Sequence, residues 1–398
     1  MRPRTSERER QEERRAPFAP RRIRLGSLAP VLAALAALLV GAMMLWALGA
    51  DPVEGYRALF EGAFGSVDAL AATAIKGVPL VLVGVGITIA FRANVLNIGG
   101  EGQIVMGGLA ATVTALAAPG LPGPVLIPLV LLAGAAGGGL WGAIPGALKA
   151  YFNVNEILST IMLNIVAVQV MNYLLRGPLL DTSQIGGLSR VPQTERLSRN
   201  ADLPILIGGT RLHTGVLVAI LAAAAAYVLL WRTTLGFRLR AVGLSRDASR
   251  YAGMPVRRTI TLALTLSGAL AGLAGAVLVF GSESHRMVTD GTATGFTGAA
   301  GFNGIVVALF GGLHPLWTIL SSFVFGGLLV GGNAIQRAVQ VPSALIVALN
   351  GLVVVFVVST EFVRRRARLR PEAAEGAGAM AEAAEGTEGL PATSEVDR

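Results

Sequence analysis

Between Pro30 and Val363 the chain can be cut about ten times into apolar stretches close to twenty residues long. That is the length a helix needs to cross a hydrocarbon core of about 30 Å. The clearest run from Pro30 to Leu48, Leu70 to Phe91, Pro124 to Leu148, Glu156 to Leu175, Thr214 to Trp231, Thr259 to Phe280 and Pro342 to Val363. Gln103 to Ala118, Gly301 to Gly312 and Leu316 to Ala334 are shorter or glycine-broken. A spanning segment must satisfy its own backbone, and the residue alternation of a barrel is missing, so the spans read as helices. With 53% hydrophobic and 14% charged residues, 398 residues cannot be divided into soluble domains. The expected fold is all-α, a polytopic membrane protein of about ten transmembrane helices.

Two polar runs interrupt this pattern: Asn97 to Gln103 (NIGGEGQ) and Asn155 to Asn164 (NEILSTIMLN). Carboxylates and amides at membrane depth are costly and mark function or a broken helix. On a helix Glu156, Thr160 and Asn164 share one stripe with Ser159 beside it, and that stripe must face protein or water. In the first run Gly99, Gly100 and Gly102 weaken a helix and let backbone approach closely, while Asn97, Glu101 and Gln103 bring donors and acceptors. These residues, with Asn303 as a further amide, are candidates for a substrate pathway. The competing role is capping of helix ends and bonding between helices. Both runs are expected to begin at the cytoplasmic side, which favours that role for Glu101 and Glu156. Lys76 is expected to snorkel to the headgroups, and Asn350 resembles Asn303 in being an intramembrane amide.

Arginine crowds Arg2 to Arg24, Arg232 to Arg258 and Arg364 to Arg370. Ten spans place all three clusters on one side, as the positive-inside rule asks of the cytoplasm. The segment Arg176 to Arg211 departs from that rule, since it falls outside yet carries five arginines. The expected plan is a disordered basic cytoplasmic tail (1–28), a transmembrane domain (29–364) with an outer loop (176–212) and a cytoplasmic loop (232–258), and a basic juxtamembrane stretch ending in a disordered acidic tail (365–398). Arg21 and Arg22 imitate an export signal, but the run behind them is long enough for a spanning anchor. Tyr56, Leu59, Phe60 and Phe64 recur at helical spacing, which suits an amphipathic helix on the outer interface.

Chemistry is sparse. There is no cysteine, and His213, His285 and His314 lack metal-ligand spacing, so no catalytic residue and no metal site is expected. In the loop 232–258, Ser245 can cap a short helix, Asp247 favours its positive end, and Gly253-Met254-Pro255 stops it. Such a helix is a docking element or a plain connector. No GxxxxGK[ST] phosphate loop occurs, so if ATP drives the process another subunit binds it.

The runs FRANVLNIGGEGQ (Phe91 to Gln103), VNEILSTIMLN (Val154 to Asn164), RGPL (Arg176 to Leu179), GFRLRAVGLSRDASRYAG (Gly236 to Gly253) and GFNGIVVALFGGLHP (Gly301 to Pro315), in that order, resemble the inner-membrane permease family of ABC importers for branched-chain amino acids, simple sugars and nucleosides. The first two are most similar to its nucleoside branch. The resemblance implies a permease with a cytoplasmic coupling helix, Ser245 to Ala252, in which Ser245, Asp247, Ala248, Tyr251, Ala252 and Gly253 meet a separate ATPase. It further implies a double-cassette ATPase that uses the ATP, a second permease chain in a heterodimer, an extracytoplasmic substrate-binding lipoprotein, and a bacterial-type plasma membrane with both termini cytoplasmic. No cofactor on this chain and no nucleic-acid partner are implied; membrane lipid surrounds it. Two departures stand out: Gly100 where the family usually has alanine, and Asn303 and Val306 where it often has aspartate and alanine.

Uncharged amides suit a nucleoside or a sugar equally, since neither needs a counter-charge. A branched-chain amino acid would want a cation, and the spans supply only Lys76, although helix N-termini could substitute. Phe91, Trp141, Phe302 and Phe310 could stack on a base, or serve as core and lipid-facing residues. An ATP-independent secondary transporter would need coupling-ion carboxylates at midplane, to which only Glu101 and Glu156 come near. A membrane enzyme would need an acid/base or nucleophile set that is not found.

Overall fold

The computed structural model describes residues 29–184, 191–282, 284–342, 344–345, 348–349, 351–352 and 355. Among them thirteen α-helices follow one another: α1 (Ala29–Ala47), α2 (Pro52–Phe64), α3 (Val67–Arg92), α4 (Gly100–Ala117), α5 (Gly123–Phe152), α6 (Glu156–Arg176), α7 (Gly215–Arg232), α8 (Thr234–Leu244), α9 (Arg246–Tyr251), α10 (Val256–Phe280), α11 (Ala293–Thr297), α12 (Ala300–Phe310) and α13 (Pro315–Val339). The chain divides into two units, Met1–Leu39 with Val355–Arg398, and Val40–Val354; the second holds α2 to α13 and the end of α1.

Six of these helices, α3, α5, α6, α7, α10 and α13, are long and apolar enough to cross a membrane. The protein is a multi-pass membrane protein. Helix α4 reaches 18 residues but spends its first turn on Glu101 and Gln103, and α12 stops after 11. The tenth expected span, Pro342 to Val363, lies largely outside the described residues, as do both tails and Asn350.

Helix α3 is the central post, buried along most of its length from Val78 to Ala90. Helix α10 packs on α3 and, on its other side, meets α4 and α5 at close range because glycines face one another every fourth residue. Gly134, Gly138 and Gly142 of α5 lie against Gly268 and Gly272 of α10, and a Cβ at Gly138 would sit 2.5 Å from the Gly272 Cα. Small residues at this spacing replace the hydrophobic drive that lipid removes between helices. The amphipathic helix α2 forms as expected, with the Asp51 carboxylate accepting from Val53 N–H at 2.8 Å. It lies against α13: Gly62 against Ala334, and Phe64 with its ring 5.8 Å from Phe323.

The bundle has two distinct ends. One gathers Arg92, Arg232, Arg246, Arg257 and Arg258, at the termini of α3, α7, α9 and α10, with Arg240 inside α8. At the other, the loop after α6 is pinned to the segment after α10 by Asp202 to His285 (2.9 Å), Arg286 to Asp181 (3.3 Å) and Thr194 N–H to the Met287 carbonyl (3.0 Å). There His213 supplies the cap that Thr214 does not: its Nδ1 accepts the Gly215 N–H at 3.1 Å at the start of α7. Burial pushes the His213 imidazole below its ordinary pKa.

Candidate functional site

After Arg92 the chain turns back into the bundle. Residues 95–98 belong to no helix, and Asn97 Nδ2 donates to Ser267 Oγ at 2.8 Å. Ser267 lies eleven residues into α10, so Asn97 sits about 16 Å inside the arginine-rich end. This corrects the expectation that the NIGGEGQ run begins at that end. Helix α4 starts at depth, and the re-entrant stretch before it has to be held by side chains.

Those side chains are the ones singled out from sequence. Asn97 also donates to Gln103 Oε1 at 2.9 Å, while its Oδ1 accepts from Gly99 N–H at 3.0 Å and from Gln103 Nε2 at 3.2 Å. Asn164, about 12 Å along α6, accepts from Gly102 N–H at 2.8 Å and donates to the Ile98 carbonyl at 2.9 Å. Thr160 is fully buried against Gly99 and returns its hydroxyl to the Glu156 carbonyl at 2.6 Å. Asn97, Glu101 and Gln103 are each 1% exposed; the two amides bond each other, while the Glu101 carboxylate turns away to Thr297 and Phe302. The stripe on α6 faces protein over Thr160 and Asn164. Glu156 itself sits apart, paired with Lys149 at 2.8 Å across the α5–α6 turn, and Ser159 bonds back to its carbonyl at 3.2 Å.

The segment after α10 also re-enters. Thr112 bonds Met287 Sδ at 3.8 Å, Phe296 lies against Gly108, and Thr297 donates to Glu101 Oε2, so residues 287–297 descend beside α4. Two left-handed residues, Gly298 (φ 60°) and Ala299 (φ 61°), then separate α11 from α12. Helix α12 has no side-chain cap of its own. Glu101 supplies one from another helix: Oε1 accepts the Phe302 N–H at 3.1 Å. A carboxylate at the positive end of a half-helix is favoured both by the orphan N–H groups and by the dipole.

Around this break the surface opens. Leu96, Gly298 and Phe302 are exposed, Ile98, Ala299 and Asn303 half-buried, and the Asn303 amide has no hydrogen-bond partner among the described residues. The arrangement offers a solute a free amide, an aromatic face and backbone, with no acid/base pair. Sequence reasoning missed Ser267 and Thr297, because a hydroxyl in an apolar helix ordinarily bonds its own preceding turn. The only trace of the break was the glycine density at Gly295, Gly298, Gly301 and Gly304. Of the aromatic candidates, Phe302 and Phe310 are exposed, and Trp141 donates to the Leu163 carbonyl at 3.3 Å.

At the arginine-rich end, Ser245 closes α8 and caps α9, accepting from Ala248 N–H at 3.2 Å, and Gly253 stops the chain at φ 74°. Asp247, Ala248 and Ala252 are exposed, Ser249 is buried, and Leu244 and Tyr251 are 90% and 94% exposed. Two contacts tie this corner to the re-entrant stretch. Arg246 donates to the Asn94 carbonyl at 3.0 Å, and Gly243 lies against the Arg92 carbonyl too closely to admit a Cβ.

Residues 69–358 match the family described as "Branched-chain amino acid transport system / permease component". The chain is 37% identical over 337 residues, 85% of its length and 94% of the relative's, to the guanosine ABC transporter permease protein NupP of Bacillus subtilis. It is 36% identical over 346 residues (84% and 88%) to the glucose ABC transporter permease protein TsgB13 of Haloferax volcanii. To the nucleoside ABC transporter permease protein NupB of Lactococcus lactis subsp. cremoris it is 31% identical over 335 residues (83% and 90%). No solved structure matches the chain.

Proposed function

The chain belongs to the branched-chain amino acid transport system permease family, as a multi-pass ABC transporter permease, and from that premise we propose that it forms the translocation pathway of an ATP-driven nucleoside importer. The observation that carries the substrate is the 37% identity to a guanosine permease over 85% of the chain. The uncharged, unpaired Asn303 amide beside the exposed Phe302 ring supports it, since a base can stack and a ribose can hydrogen-bond without a counter-charge. Import of a simple sugar is the second reading, favoured by the 36% identity to a glucose permease.

Energy comes from elsewhere. A separate, double-cassette ATPase hydrolyses the ATP and receives α9 through Ser245, Asp247, Ala248, Tyr251, Ala252 and Gly253. An exposed Leu244 and Tyr251 on an otherwise basic face suit such a seat. When the ATPase closes, α9 moves as a body. Arg246 and Gly243 pull on Arg92 to Asn94, and the re-entrant stretch passes the displacement through Asn97 to α10 and through Glu101 to the α11–α12 break. In this plan residues 29–364 are the membrane domain, both termini lie in the cytoplasm of a bacterial-type cell, a second permease chain completes a heterodimer, and a lipoprotein delivers substrate from outside.

The test is radiolabelled uptake in proteoliposomes holding the chain with its second permease, ATPase and binding protein. ATP-dependent guanosine uptake, with glucose, ribose and leucine excluded, is expected. Glucose or ribose uptake alone would keep the importer and replace the substrate; uptake without ATPase would overturn the mechanism.

A further inference from the structure

A cleft of about 660 Å³ runs between α3, α7 and α13, walled by Val78, Val81, Ala219, Trp317, Leu320 and Phe323, with His314 among its lining residues. Its mouth residues Ile220, Leu316, Trp317 and Leu320 are exposed, and nearly every wall atom is apolar. From His314 to Phe323 the lining follows α13 for about 14 Å. One leaflet of the hydrocarbon core is about 15 Å deep.

The arginine-rich end of this cleft carries an unanswered charge. His314 lies 5.0 Å from the Trp231 ring, and two guanidinium groups stand over that same ring, Arg92 at 5.3 Å and Arg240 at 6.0 Å. Arg92 is spent partly on the Leu313 carbonyl, with bonds of 3.1 and 2.8 Å. Neither arginine has a carboxylate within salt-bridge distance among the described residues, and Arg240 Nε and His314 Nδ1 have no hydrogen-bond partner there. Like charges brought to one indole repel unless an anion joins them, and a planar guanidinium fork matches a phosphate.

We propose that this cleft is a binding site for an anionic phospholipid, with one acyl chain along α3, α7 and α13 and the phosphate on Arg92 and Arg240 beside Trp231. The match between a leaflet-long apolar trough and a cationic, aromatic end identifies a lipid rather than a soluble anion. The site is separate from the helix break and does not depend on which solute is carried.

Native mass spectrometry of the full chain, extracted in its complex from membranes of mixed phosphatidylglycerol and phosphatidylcholine, reads the retained lipid. Phosphatidylglycerol should be preferred, and Arg240→Gln should cut that preference about tenfold, the worth of a charge-assisted hydrogen bond. Arg258→Gln, at an exposed arginine of α10, should leave it intact. Ala219→Phe fills the trough and should lower retention of both lipids, which keeps the test open should Arg240→Gln fold poorly. Equal retention of the two lipids, an unchanged preference in Arg240→Gln, displacement of the lipid by inorganic phosphate, or a second permease chain cross-linked into the cleft with no lipid held would each overturn the proposal.

Discussion

Glu101 stands in for the side-chain cap that α12 lacks, with one oxygen on the Phe302 amide and the other on the Thr297 hydroxyl. Glu101→Ala leaves the Phe302 N–H without its acceptor, at a cost of about 1–3 kcal/mol, while the Thr297 hydroxyl keeps the Ala293 carbonyl at 3.0 Å. It should lower the melting temperature and abolish uptake, whereas Glu101→Gln keeps an acceptor and should melt close to wild type. A wild-type melt for Glu101→Ala would remove the capping role. His213 gives a pH signature at the other end. Its pKa is lowered by burial, so below the ordinary value of about 6.5 the unfolded chain takes up a proton that the folded one refuses. Its contribution to stability is present above that value and lost as the pH falls through the lowered one. Thermal unfolding at pH 7.5 and 5.5 should show a loss that His213→Asn, still an acceptor for the Gly215 N–H, reduces. At this scale Asn97, Gln103 and Asn164 were legible because an amide at membrane depth has few reasons to exist. Ser267 and Thr297 were not, because their local alternative is always available.

At the scale of elements, the α4–α5–α10 interface makes the sharpest demand. Gly272→Leu would drive a side chain into the Gly134 and Gly138 backbone, so folded yield should collapse, while Gly120→Ala, in open space, should be neutral. Equal yields of the two variants would show that the helices do not meet through glycine. Gly253 sets the exit from α9 in a left-handed conformation that costs a residue with a Cβ about 1–2 kcal/mol. Gly253→Val should leave membrane insertion intact and uncouple ATP hydrolysis from uptake, which parallel assays of the two would reveal. The helices α3, α5, α6, α7 and α10, the glycine-broken α13 and the short helix α9 were readable from run length and caps, because those signals are local. Both re-entrant stretches escaped. A hydropathy run does not say at what depth it starts, and the depth of Asn97 is set by Ser267, 170 residues away.

For the whole molecule, one polar knot joins the arginine-rich corner to an opened helix break. Arg246 holds Asn94, Asn97 holds Ser267, Asn164 holds Ile98 and Gly102, and Glu101 holds α12. The chain has no cysteine, so a single introduced thiol reports on that break without background. The most direct measurement is the labelling rate of Asn303→Cys by a water-soluble thiol reagent in the assembled complex. If the break faces the pathway, labelling accelerates when the ATPase cycles and slows in excess nucleoside. A thiol that resists the water-soluble reagent, reacts with a lipophilic one and ignores both ATP and nucleoside would place Asn303 against lipid and refute the pathway.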